Sequence, residues 1–302
     1  MVFRRIAERL EAGGFTMVQP EVGELMSSLD MAGLSLTITF LDAELAELWG
    51  APVNTVAFRR GAVADVTSRT APVSAGPVVG EIPPATEASQ AFAGRVVKVL
   101  DVLRDTAVAQ ETYFGRIDAI AGDGDHGQGM TYGTTGAAKA AQEAVAAGAG
   151  ARTTLVRAGD AWSEAAGGTS GALWGAALTA FGGRLSDESG AAAGDIVEAV
   201  TAGVEAILRL GGARVGDKTM VDAAVPFQTT LAEQFAAGAP LTAAWTAAAQ
   251  VATEAAAATA DIVAQRGRSR VLGEKSLGTP DPGATSFALL MTAVVKAGLL
   301  TS

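Results

Sequence analysis

The sequence predicts a mainly helical protein. From about residue 88 onward it reads as an up-and-down antiparallel bundle or α-barrel of about eight helices, preceded by a small α/β segment. Three observations carry this. Hydrophobic residues make up 49% of the chain but aromatics only 5%, so alanine and glycine supply much of the apolar content. Alanine favours helix strongly, and small side chains let helices pack closely. After Ala88 apolar residues recur at helical spacing in one stretch after another, and the stretches are joined by short glycine-rich loops. Short connections make consecutive helices antiparallel neighbours.

At 302 residues the chain is long enough for one large domain or two ordinary ones. Its 22 basic and 32 acidic residues leave a net charge of −10, which disfavours non-specific nucleic-acid binding. There is no cysteine. Disulfides, thiolate metal sites and cysteine nucleophiles are therefore excluded. The first residues, MVFRRIAERLEAGGF, are amphipathic rather than a signal peptide, and no long apolar run suggests a membrane span. A cytoplasmic protein with no nucleic-acid or membrane partner is expected, and a homo-oligomer is compatible with the sequence.

The elements follow in order. Ile6 to Leu10 predicts a helix that stops at Gly13–Gly14. Leu34 to Phe40 alternates, with Leu34, Leu36, Ile38 and Phe40 on one side and Ser35, Thr37 and Thr39 on the other, which predicts a half-buried strand. Asp42 should cap a short helix through Leu48, ended by Gly50–Ala51–Pro52. One strand and two short helices cannot close a core, so residues 1–59 read as the end of something larger. Residues 60–87 are rich in proline and glycine and read as an extended linker. From Ala88, Phe92, Val96, Val99 and Leu103 mark the first long helix, with Arg95, Lys98 and Asp101 off that face. Further helices are predicted over 127–147, 153–166, 169–182, 192–210, 218–236, 240–265 and 284–299.

The chemistry concentrates in Asp118 to Met130, DAIAGDGDHGQGM. Asp118, Asp123 and Asp125 would repel one another without a cation, and hard divalent ions such as Mg²⁺ take oxygen ligands shared with substrate phosphates. Gly122, Gly124, Gly127 and Gly129 let the backbone turn and let a ligand approach it. This predicts a Mg²⁺–nucleotide site; a polar turn into a helix is the plainer alternative. The GxGxxG reading fails for want of a βαβ unit. An EF-hand fails because the twelfth position from Asp123 is Thr134. Three more loops share the pattern: Gly167 to Gly171, Gly211 to Met220 (GGARVGDKTM) and Gly278 to Thr285 (GTPDPGAT). In an up-and-down bundle alternate loops share one end, and glycine-rich helix N-termini bind phosphate well. The second loop is a near miss for a P-loop, with Asp217 inserted before Lys218. Its structural alternative is a helix–helix turn with Asp217 capping the next helix. Asp281 and Pro282 suit an N-cap and a first helical position. His126, the only histidine, is placed to contact a phosphate and has no companions for Ser–His–Asp chemistry.

These pieces resemble the dihydroxyacetone kinase family. DAIAGDGDHGQGM, GGTSGALWG, GDKTMVDA and GEKSLGTPDPGATS stand in that family's order and spacing, and residues 88–302 resemble its nucleotide-binding L domain. Residues 15–50, with VGELMSSLDMAGLSLTITFLD, resemble the tail of its K domain, which binds dihydroxyacetone. The resemblance implies an eight-helix antiparallel barrel with ATP at one end. It implies two Mg²⁺ ions held by Asp118, Asp123 and Asp125. His126, Gly127, Gln128 and Gly129 would lie along the phosphates, joined by Thr169 and Ser170. Gly211, Met220, Arg268, Asp281, Pro282 and Gly283 would line the nucleotide pocket. In the family a K-domain histidine binds the ketone covalently. Here the one histidine lies in the nucleotide loop, so no catalytic residue is assigned and the substrate half is expected to be absent. The implied reaction is ATP-dependent phosphorylation of a short ketose, dihydroxyacetone or erythrulose, presented by a K domain in cis or in trans. Alternatives are an ADP-carrying subunit of a phosphoprotein-dependent kinase, a non-catalytic nucleotide-binding regulator, and a fatty-acid kinase subunit.

Overall fold

The computed structural model describes residues 2–18, 20–21, 36–51, 53–54, 59–60, 82–122, 124–265 and 276–300. The chain divides into two compact units, Met1–Pro77 and Val78–Ser302.

In the first unit, α1 (Val2–Ala12) ends at Gly13, and Gly14 takes a φ of 83°. The α2 helix (Ala43–Gly50) starts as expected, with the Leu45 N–H donating to Asp42 Oδ1 at 2.9 Å. Two short antiparallel strands, β1 (Val53–Asn54) and β2 (Arg59–Arg60), pair Val53 with Arg60. The strand expected over Leu34–Phe40 is a correction. Leu34 and Ser35 lie outside the described residues, and Leu36–Phe40 joins no ladder among them. Leu36, Ile38 and Phe40 are more than half exposed. Alternation tells which face of a strand is apolar; it cannot supply the neighbour whose N–H and C=O groups a strand needs. The described residues of this unit bury no hydrophobic side chain fully.

The second unit contains eight α-helices among its described residues: α3 (Glu87–Ala121), α4 (His126–Ala146), α5 (Ala151–Ala166), α6 (Gly168–Gly183), α7 (Ala193–Gly211), α8 (Val221–Ala236), α9 (Leu241–Ala258) and α10 (Pro282–Lys296). Each packs on its sequence neighbours, and α10 also packs on α3, which closes the ring. The mainly-α barrel expected from the sequence is therefore the observed fold. Capping side chains fix several starts. The Ser89 N–H reaches Thr86 Oγ1 at the head of α3, and the Ala192 N–H reaches Asp195 Oδ2 at the head of α7. Phe114, Trp162, Phe227, Leu231 and Leu290 are fully buried in the wall. Close helix approach depends on glycine where α4 meets α5, since a Cβ on Gly133 would enter the Trp162 ring.

Two helix boundaries are corrected. The helix expected to run to residue 265 stops at Ala258 and passes into a 3₁₀ turn, Thr259–Asp261. Thr259 Oγ1 donates back to Ala256 O at 2.6 Å and accepts the Asp281 N–H at 2.7 Å, which ties the turn to the start of α10. The helix expected from residue 218 begins at Val221, because Lys218 has a φ of 62°. No described helix is long and apolar enough to cross a membrane.

Candidate functional site

Alternation of helix direction brings four connections to one end of the barrel: α3–α4, α5–α6, α7–α8 and α9–α10. They surround a cleft of about 980 Å³. Its walls include Asp118, Asp125, His126, Gln128, Gly129, Thr169, Ser170, Gly211, Met220, Asp281, Pro282 and Gly283. Gly127 sits just beneath, where a Cβ would collide with the α3 backbone at Glu111. Asp123 and Arg268 lie outside the described residues. Tyr132, Trp162, Ile207 and Gln265 also line the cleft and carry no motif. Tyr132 had one readable signal, its position one turn after Gln128, whose Nε2 donates to its hydroxyl at 3.1 Å.

Asp118 occupies the last turn of α3 and is 8% exposed. Its Oδ2 accepts the N–H groups of Gly124 and His126, both at 3.0 Å. It thus caps α4 from eight residues upstream, while Asp125, directly before α4, makes no capping bond. Partial desolvation, then the Asp118 charge, raises the Asp125 carboxyl above its ordinary range. Two hard oxygen donors that repel each other in this way fit a divalent cation. Among the described residues no three ligating side chains converge.

Three helix N-termini reach the cleft without a capping bond from their own N-cap residue, α4, α6 and α8, and the first two are rich in glycine. At α6, Gly167 and Gly168 both have a φ of 60°, which disfavours any residue with a Cβ. The first amides of α6 have no helical partner, and their residues line the cleft, an arrangement suited to an anion.

His126 points its ring inward. Its Nε2 lies 2.9 Å from Ser286 Oγ. The serine hydroxyl also lies 3.1 Å from Gly283 O, and the imidazole hydrogen-bonds the Pro282 backbone as well. Burial lowers the imidazole pKa against the pull of the Asp118 charge, which favours the neutral ring. Phe114 meets it edge-on. The side chain clasps the head of α4 to the head of α10, two elements that both reach the cleft.

Asp281 caps α10 as expected, accepting the Ala284 N–H at 2.7 Å. Burial pushes its carboxyl up to about 7, opposed by that bond and by the Lys218 charge and reinforced by Asp222 and Asp118. Asp217 does not cap the next helix; its Oδ2 accepts the Arg214 N–H within the turn. Asp222, in the first turn of α8, instead reaches back to accept the N–H groups of Gly216 and Thr219.

The DAK2 domain family matches residues 120–296, and the Dak1 domain family matches residues 1–57. An L-erythrulose 1-kinase of Mycolicibacterium smegmatis is 59% identical over 298 residues, covering 97% of this chain and 51% of that protein. A D-erythrulose kinase of the same organism is 45% identical over 311 residues, covering 100% of this chain and 53% of that protein. The crystal structure of the dihydroxyacetone kinase from C. freundii in complex with AMP-PNP and Mg²⁺ superposes with a TM-score of 0.55 at 27% identity, covering 76% of this chain and 37% of that one. The chain thus spans about half the length of the curated relatives it matches.

Proposed function

The chain belongs to the dihydroxyacetone kinase family, and on that premise we propose that it is the Mg²⁺–ATP-binding half of a kinase that phosphorylates a primary hydroxyl of a short ketose. The observation that carries this is the convergence of the four connections on one cleft, with two carboxylates beside two glycine-rich helix N-termini. In this reading Asp118 and Asp125, with Asp123 as third donor, hold two Mg²⁺ ions. The metal supplies charge neutralisation at the phosphates, which is where most catalysis of phosphoryl transfer arises. Backbone amides at the heads of α4 and α6, with Thr169 and Ser170, orient the phosphate chain. Gly211, Met220, Arg268 and Asp281 to Gly283 enclose the rest of the nucleotide.

The names of the similar proteins favour erythrulose over dihydroxyacetone as acceptor. The acceptor would be held by a K-type domain in cis or in trans, of which residues 1–59 represent the final part and 60–87 the link. The proposed location is the cytoplasm, where ATP is supplied. The test is calorimetric titration of this chain with Mg²⁺–ATP, followed by phosphorylation of L-erythrulose, D-erythrulose and dihydroxyacetone with a K-type domain present. Metal-independent binding, or robust turnover of free ketose by this chain alone, would overturn the proposal.

A further inference from the structure

Lysine is an unfavourable residue at position 218 on two counts. Its side chain is 1% exposed, and burying an ammonium costs several kcal/mol unless partners surround it. Its φ of 62° is the only positive value at a non-glycine residue among those described, a conformation that costs such a residue roughly 1 kcal/mol or more. The side chain must therefore do something that glycine, the easier residue here, cannot.

Its contacts show what. Nζ donates to Ser276 O at 2.7 Å, and the charges of Asp281 and Asp261 attract it. Those partners lie on the turn after α9 and on the stretch that enters α10, whereas Lys218 belongs to the α7–α8 connection. One ammonium thus joins two of the four connections that build the cleft. The stretch it holds is also tied by the Gly278 N–H on Ala260 O at 2.9 Å, the Thr279 N–H on Ser276 O, and the Asp281 N–H on Thr259 Oγ1. Beyond them stand Asp281, Pro282 and Gly283, all on the cleft wall.

We propose that Lys218 is a positioning residue for the nucleotide: by holding the Ser276 carbonyl, its ammonium fixes the stretch that presents Asp281, Pro282 and Gly283 to the cleft. The proposal rests on the nucleotide reading of the site. It explains why a lysine, rather than glycine, occupies a left-handed turn. The turn needs only a small residue, but the latch needs a long cation whose three donors can be shared among backbone and carboxylates.

The test uses the whole chain with Lys218→Gly, which keeps the turn and removes the ammonium, Lys218→Met, which keeps the length, and Lys218→Arg, which keeps the charge. Amide exchange without nucleotide and calorimetric titration with Mg²⁺–AMP-PNP are measured on each. In Lys218→Gly and Lys218→Met, exchange at Gly278, Thr279 and Asp281 should accelerate about tenfold or more while the interiors of α4 and α6 stay protected, and affinity should fall by about tenfold or more. Lys218→Arg should recover part of both. The proposal is overturned by unchanged exchange at those three amides, by affinity within about twofold of the parent in folded Lys218→Gly, or by exchange rising throughout the barrel, which would make Lys218 a general core anchor. Failure of the parent chain to bind Mg²⁺–AMP-PNP would remove the nucleotide reading instead, and the exchange comparison alone would then judge the latch.

Discussion

Asp118 and Asp125 look equivalent in the motif, yet the structure gives them different work, and a paired substitution separates the two. Asp118→Ala removes a largely buried carboxylate that accepts two backbone N–H groups at 3.0 Å each. A hydrogen bond to a charged group contributes about 1.5–3 kcal/mol. A negative charge at a helix N-terminus adds roughly 0.3–1 kcal/mol. Water entering the space recovers part of this, so a loss of about 3 kcal/mol in the metal-free protein is the expected size. For a unit of this length each kcal/mol moves Tm by roughly 2–4 °C, so the melting point should drop by about 6–12 °C. Asp125→Ala removes an exposed carboxyl that makes no capping bond to α4 and whose ionisation is opposed by desolvation and by the Asp118 charge. Its metal-free stability should stay within about 0.5 kcal/mol of the parent. Both variants should lose Mg²⁺-dependent nucleotide binding. The assay is denaturant unfolding in EDTA beside calorimetry with Mg²⁺–ATP. Equal metal-free stabilities would refute the capping role of Asp118, and a loss above about 1 kcal/mol in Asp125→Ala would show that residue to be structural.

Other outcomes follow from the same contacts. The Asp281 carboxyl is raised to about 7 in the folded chain, so the folded state holds its proton over a range where the unfolded state has released it. Stability from this group is present below the unfolded value near 4, is lost as pH rises towards 7 and is flat above that. His126, with its pKa lowered, works in the opposite sense, its stabilising effect fading as pH falls below the unfolded value. Asp281→Asn should therefore flatten the difference between pH 4 and pH 7, read by urea unfolding at several pH values; an unchanged profile would refute the assignment. Asp222→Ala removes a buried carboxylate that accepts the Gly216 and Thr219 N–H groups and should cost roughly 2–4 kcal/mol, whereas Asp217→Ala loses an exposed bond from the Arg214 N–H and should cost less. The reverse order in thermal melts would restore Asp217 as the main anchor. Gly167→Ala forces a Cβ into a φ of 60° and ψ of −169°, a region nearly restricted to glycine, and should cost about 1–3 kcal/mol. It should also weaken nucleotide binding by displacing the head of α6; a fully stable variant with parental affinity would count against that head as a phosphate site.

The barrel was legible because its signal is local. Phe92, Val96 and Leu103 repeat at the helical period and are all buried in α3. The glycine-rich loops were legible as one site because alternation in an up-and-down ring leaves no choice of end. What escaped the sequence depends on partners distant along the chain. The run of alanines through Ala260 offers no stop signal; α9 ends where Thr259 meets the Asp281 amide, which is 22 residues away. Asp217 is the nearest acid before α8, so it looked like the cap, but Asp222 folds back from inside the helix to serve that turn. Lys218 has no left-handed preference that a reader could detect. Leu36, Ile38 and Phe40 show an apolar face and say nothing about whether a second strand is there to meet it.

The closed ring has one more consequence. Because α3 ends at the cleft and α10 begins there, the first turn of α3 and the last turn of α10 both lie away from it, on helices that touch. Joining those two ends through a linker that spans the extra length of α3, and opening the second unit instead at Ala147–Gly150, Arg184–Ala192 or Ala237–Pro240, would leave all four cleft connections uncut. Circular permutation succeeds at such surface connections when the original termini are close. Each permutant would present the same cleft from a new starting residue, so the order in which the four motifs occur along the chain is separable from the site they form.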